Sequence, residues 1–180
     1  MIGNTWKKWD LHVHTKGTKK NDQFGSRTMD DFFSLFFKKA IESQISGIGI
    51  TDYFSIDNYL SAINYVENIE RKEDSTGGSL FSDEDIAKIR GIFIFPNVEL
   101  RMLPSTGAER LINIHCLFRP SYTNSLQNDF FNTIENQDSF KMNRQGIIAY
   151  GRKIKPDITN EEDIYTEHKN TYALEPKKLK

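Results

Sequence analysis

The sequence predicts an α/β protein, on two observations. Strand and helix patterns alternate along the first two thirds of the chain, and polar residues suited to catalysis or metal binding fall at or near the strand ends. The order strand, helix, strand, helix, strand favours a parallel sheet with right-handed crossovers. The length of 180 residues and an apolar fraction of 37% fit a single domain that buries one core.

The first strand is predicted by alternation over residues 9–14, with Leu11 and Val13 on one face. The opposite face then carries the polar residues Asp10, His12 and His14. A helix follows, because Thr28 and Asp31 have the spacing of a capping box. Its apolar stripe consists of Phe32, Phe33, Phe36, Phe37, Ala40, Ile41 and Ile45.

The next predicted elements are a short buried strand over 47–51 and a second helix over about 56–71. Residues 72–79 form a polar loop, after which Ser82 and Asp85 open a short third helix.

Further strand patterns cover 92–95 and 97–100, with Pro96 predicted to interrupt the run. Residues 111–118 form another predicted strand.

The last third of the sequence is less patterned. Residues 124–135 are compatible with a helix and 146–150 with a strand. From Lys155 onward the chain is charged and has no clear periodicity.

Composition excludes some classes of function. The net charge is −1, so no global field attracts nucleic acid or an anionic membrane surface. No run of about 18 apolar residues is present, so we expect no membrane association. The single Cys116 fits a buried thiol in a reducing compartment, which indicates a cytoplasmic protein.

Five polar positions suit metal binding. Two strand steps separate His12 from His14, so both imidazoles point the same way about 6 to 7 Å apart. Alone, this His-x-His pair is a weak signal. Asp52, Glu99 and His115 add candidate ligands at the end of, or within, later strands.

These segments together resemble the PHP (polymerase and histidinol phosphatase) superfamily. The resemblance is carried by Asp-Leu-His-Val-His-Thr at 10–15, Gly-Ile-Thr-Asp at 49–52, Pro-Asn-Val-Glu at 96–99 and Ile-Asn-Ile-His at 112–115. It is nearest to TrlF-type PHP domains, which precede an SMC-like or AAA-like ATPase. It covers residues 6–118 and fades over 119–180, so we expect one PHP-type domain over 1–180.

The resemblance implies a distorted (β/α)7 barrel, here incomplete or truncated, that holds two or three Mn, Zn or Fe ions. It implies that water bridging the ions attacks a phosphate ester. The implied metal ligands are His12, His14, Asp22, Glu99 and His115. A mixed imidazole and carboxylate set suits such borderline divalent metals.

Several residues keep more than one interpretation. Asp10 could orient a ligating histidine, and Asp52 could do so, ligate metal directly, or cap the turn after its strand. Arg101 could bind a phosphate oxygen or form a surface salt bridge. Lys16, Lys19 and Lys20 could bind a phosphate-bearing substrate or belong to a solvated loop.

Two departures from the family pattern argue against a complete enzyme. Tyr53 occupies the place of the histidine in the family's Thr-Asp-His turn, and tyrosine is a poor ligand for Zn or Mn. No Asp-x-His pair follows His115. His168 remains, in a polar setting that predicts a surface residue.

The leading hypothesis is therefore a metal-dependent phosphoesterase acting on a phosphomonoester or a nucleic-acid end. By the same resemblance it would serve an anti-phage system, with an ATPase fused to it or as a partner, because the chain has no phosphate-binding loop. The alternatives are a degenerate, non-catalytic binding or regulatory module and a purely structural domain. Exposed sheet edges of a shortened barrel would favour a homodimer.

Overall fold

The computed structural model describes residues 6–18, 24–25, 27–103 and 111–175. Within these ranges the protein is an α/β protein with strands β1 (Lys8–His14), β2 (Ile45–Tyr53), β3 (Phe93–Met102) and β4 (Ile112–Leu117). Its helices are α1 (Met29–Glu42), α2 (Asp57–Glu67), α3 (Asp83–Arg90), α4 (Thr123–Leu126), α5 (Arg144–Ile154) and α6 (Glu161–Lys169). The strands form one sheet in the order β1-β2-β3-β4.

The expected (β/α)7 barrel is wrong. The described residues form a four-stranded mixed sheet in which β1 and β2 are parallel but β3 and β4 are antiparallel. Only residues 103–111 join β3 to β4. A parallel crossover needs a dozen or more residues, whereas an antiparallel return does not.

The chain divides into two compact units. Unit 1 consists of Met1–Thr51 and Ile56–Pro96, and unit 2 consists of Asp52–Ser55 and Asn97–Lys180. No helix among the described residues has both the length and the apolar character needed to cross a membrane.

Unit 1 contains the predicted aromatic helix. The Thr28 side chain accepts a hydrogen bond from the Asp31 amide while Asp31 accepts from Thr28, which confirms the capping box. Phe33 and Phe37 are buried in the core of this unit. The helix ends at Glu42, however, so Ile45 begins β2 instead of extending the helical stripe.

The remaining helices of unit 1 follow their predictions closely. Helix α2 is extended by a 3₁₀ turn over Ile69–Arg71, and Ser82 caps α3 by accepting from the Asp85 amide. The predicted interruption at Pro96 is wrong, because β3 runs continuously from Phe93 to Met102. The β3–β4 ladder starts at Asn97, so the missing N–H of Pro96 removes no hydrogen bond from that ladder.

Unit 2 differs most from the prediction. Residues 146–150 lie in helix α5, capped by the Asn143 side chain, and not in a strand. Helix α6 was not predicted at all. Its Asn160 cap and acidic first turn are ordinary helix-start signals, but His168 and Lys169 occupy half of its buried face and hide the apolar periodicity.

We expect Thr28→Ala to lower the free energy of unfolding by about 0.5–2 kcal/mol, because it leaves helix amides of α1 without an acceptor. Ser75→Ala is the control, since Ser75 is exposed in a loop and such changes usually stay within about 0.5 kcal/mol. Urea denaturation followed by circular dichroism measures both. Equal small losses in the two variants would contradict the capping role.

Candidate functional site

The histidine pair of β1 lies in unit 1. The Nε2 atoms of His12 and His14 are 3.0 Å apart, and their ring centroids are 4.9 Å apart. Two nitrogens on one tetrahedral ion, each about 2.0–2.1 Å from it, are separated by roughly 3.3 Å. The observed separation is therefore close to what chelation of a single ion requires.

A β-bulge precedes this pair. Asp10 pairs with Ile48 and Val13 with Ile50, so three steps along β1 match two along β2. The bulge breaks the predicted alternation, and Asp10 and Val13 line the same recess of unit 1. The Asp10 carboxylate accepts from the His12 backbone N–H at 3.3 Å, so Asp10 contacts the main chain at the bulge.

Glu99 and His115 meet in unit 2, directly opposite each other in the antiparallel register of β3 and β4. Glu99 is only 1% exposed. Asn113 donates its side-chain N–H to Glu99 Oε1 at 2.5 Å, which holds the carboxylate in place. Buried carboxylates need such donors because desolvation penalises the charge.

The His115 ring is oriented by Asn97, whose Oδ1 lies 3.1 Å from Nδ1. Since an amide oxygen can only accept, Nδ1 carries the proton and Nε2 carries the lone pair. This arrangement, in which a second hydrogen bond fixes the tautomer, is typical of metal-ligating histidines. Sequence reasoning missed Asn97 and Asn113, although each lies two residues before a predicted ligand and so on the same strand face.

Asp52 has a structural partner that sequence reasoning also missed. Its carboxylate accepts from the Tyr53 N–H and the Ser55 hydroxyl and lies 3.3 Å from Lys169 Nζ of α6. Asp52 is 2% and Lys169 9% exposed, so this is a buried ion pair. The geometry favours the turn-capping interpretation of Asp52, and its catalytic role stays a prediction.

Arg101 is 6% exposed, so the surface salt bridge considered for it is wrong. Its guanidinium lies 4.4 Å from the centroid of the Tyr53 ring and donates to the Asn170 carbonyl. Tyr53, at the position of the family's histidine, thus packs against a fixed cation. Phosphate binding by Arg101 stays a prediction.

Other predicted residues lie elsewhere. Asp22, Lys19 and Lys20 are outside the described residues, while Lys16 donates to the Gly25 carbonyl. His168, predicted at the surface, is buried with 1% exposure.

Cys116 is a half-buried free thiol, and burial raises its pKa, so it stays protonated near neutral pH.

Comparison with known proteins finds no family model, no curated protein and no solved structure that matches the chain.

We expect Lys169→Met to destabilise the protein by roughly 3–5 kcal/mol, because it leaves the Asp52 charge buried beside neutral donors. The double variant Asp52→Asn/Lys169→Met should recover a large part of that loss. A double-mutant cycle of urea denaturations at neutral pH measures the coupling between the two residues. Additive losses in the double variant would contradict the ion pair.

Proposed function

We propose that the protein is a metal-dependent phosphoesterase that holds Mn, Zn or Fe ions through His12 and His14 of unit 1 and through Glu99 and His115 of unit 2. The observation that carries the proposal is the 3.0 Å separation of the two imidazole nitrogens on β1. The oriented ring of His115 opposite the buried carboxylate of Glu99 supports it independently.

The donor set fits borderline divalent metals, because it combines neutral imidazoles with a carboxylate. A bound ion would lower the pKa of its water towards neutrality and offset negative charge on a phosphoryl group. Glu99 offers two oxygens and can therefore serve two ions, whereas each imidazole offers one nitrogen. Asn97 and Asn113 act as positioning residues, since they hydrogen-bond the two ligands of unit 2.

The proposed substrate is a phosphate ester, either a phosphomonoester or the end of a nucleic acid. By the family resemblance we also propose a fused or partner ATPase of the SMC or AAA type in phage defence, and a homodimer. The cytoplasm is the proposed compartment, because its reducing conditions suit the single free Cys116.

The rival proposal is a non-catalytic module that keeps metal for binding or regulation. The contact between Tyr53 and Arg101 favours it, because a tyrosine ring stacked by a guanidinium replaces an imidazole ligand of the family pattern. Metal content and turnover separate the two proposals, since both retain metal but only the first hydrolyses a phosphate ester.

We expect the purified, tag-free chain to retain about one or more ions of Mn, Zn or Fe after dialysis, measured by elemental analysis. His12→Ala/His14→Ala and Glu99→Gln/His115→Ala should each lose bound metal while keeping the circular dichroism of the wild type. Asp83→Asn/Glu84→Gln changes exposed carboxylates on α3 and should lose none. A wild-type chain without metal would rule out the hydrolase and its rival alike.

We expect Asn97→Leu to weaken metal affinity about 10–100-fold, because the His115 ring loses the acceptor that fixes its tautomer. Asn124→Leu, at an exposed position, is the control. Competition with a chromogenic chelator measures the metal affinity of both variants.

Release of phosphate from a chromogenic monoester and from a 5′-phosphorylated oligonucleotide measures the hydrolytic activity. Oligonucleotide hydrolysis should weaken as salt rises, whereas monoester hydrolysis should not. Metal binding without hydrolysis of either substrate would favour the rival.

A further inference from the structure

Helix α6 carries a buried histidine that the proposed metal chemistry does not use. The His168 ring packs against α5, edge-on to the Tyr150 ring with centroids 6.1 Å apart. A Cβ atom added at Gly151 of α5 would lie 2.4 Å from His168 Cδ2. The ring therefore fills the interface between helices α5 and α6, and it cannot shift without separating them.

The hydrogen bonds of His168 define its neutral tautomer. Nδ1 lies 3.1 Å from the Thr171 hydroxyl oxygen, and that hydroxyl donates to the His168 carbonyl at 3.4 Å. Thr171 thus accepts the Nδ1 proton, and the lone pair is on Nε2. Within the described part of the chain, Nε2 is buried and has no hydrogen-bond partner. A proton on Nε2 would create a buried charge without an acceptor.

The charged and titratable neighbours of the ring do not offset this cost. Burial lowers the pKa of His168 most, the negative Glu167 raises it, and the positive Lys155 at the end of α5 lowers it. Glu167 and Lys155 form an ion pair with each other. The pKa values of Tyr150 and Tyr172 are raised by burial, so both phenols stay neutral below pH 8 and supply no counter-charge.

The next residue connects His168 to the end of β2. Lys169 lies 3.3 Å from both the Asp52 carboxylate and the Ser55 hydroxyl, and all three residues are buried. Moving the C-terminal end of α6 away from α5 would therefore also displace Lys169 from Asp52, because His168 and Lys169 are consecutive residues of one helix.

We propose that His168 is an acid switch: its protonation loosens α6 from α5 and releases Lys169 from Asp52. Above the ordinary histidine pKa of about 6.5 the ring is neutral in both the closed and the open helix. As the pH falls below that value, the open form takes up a proton more readily than the closed form. The closed form then loses stability until the pH passes the lower pKa of the buried ring.

Hydrogen exchange of the α6 amides, expressed as protection factors that correct for intrinsic exchange, tests the switch in the full chain. We expect protection to fall about tenfold or more between about pH 7.5 and pH 5, since one proton taken up on opening changes the equilibrium tenfold per pH unit. In His168→Phe, which keeps a ring but cannot titrate, protection should not change with pH. Helix α1 of unit 1 is the internal reference.

Thr171→Val is the matched variant, because it removes the hydrogen bond of Nδ1 but leaves the titrating group, and its protection should still fall with acid. An equal fall in wild type and His168→Phe, or no fall in wild type, would overturn the proposal. If the His168→Phe chain does not fold, an NMR titration of the His168 ring in the wild-type chain tests the proposal directly. Ile164 reports the helix contact, because its methyl group packs at Gly151 beside the His168 ring. A ring that titrates below about pH 6.5 together with the Ile164 methyl signal supports the switch, and one that titrates at or above it overturns it.

Discussion

The burial of charge in unit 2 is the constraint on which the rest of that unit depends. Asp52, Glu99, Arg101 and Lys169 are all less than 10% exposed. Each is held by named partners, because an uncompensated buried charge costs several kcal/mol. The Asp52 to Lys169 pair fixes α6 to the end of β2, while Asn113 and Glu99 fix β4 to β3. The polar residues that suggest chemistry are thus also residues that determine the structure.

Local signals explain what could be predicted from the sequence. Thr28 and Ser82 cap their helices as expected, because a cap depends only on residues three positions apart. The strand predicted over 146–150 was wrong because a short apolar run fits a strand and a helix equally well. The strand over 111–118 was predicted, but its antiparallel direction was missed, because the parallel order assumed a crossover helix that residues 103–111 cannot supply.

The candidate site shows the same difference between local and long-range signals. The spacing of His12 and His14 is local, and the structure brings their nitrogens together. The partner of Asp52 is 117 residues away, and no periodicity or motif connects such positions. Asn97 and Asn113 were within reach of prediction, since strand alternation places each on the same face as a predicted ligand. Burial of His168 could not be predicted, because it depends on the contact between α5 and α6, and the sequence pattern did not show α6.

The two ligand pairs should respond differently to metal, because their environments differ. His12 is exposed and His14 is half-buried, and neither brings a fixed negative charge into the protein, so the pair on β1 carries little desolvation cost without an ion. Glu99 is a buried carboxylate that Asn113 supports with a neutral donor, and a divalent cation would supply the charge that an amide lacks. Metal binding at Glu99 therefore gains free energy because the cation compensates the desolvated carboxylate. Metal binding at the imidazole pair depends on coordination alone. Metal that binds only the folded chain must raise its free energy of unfolding, by an amount that grows with the logarithm of the metal concentration once the site is saturated. A His12→Ala/His14→Ala chain should then lose stability relative to the wild type only when metal is present. Glu99→Gln should likewise not be destabilised without metal, because it removes a buried charge and keeps an acceptor for Asn113.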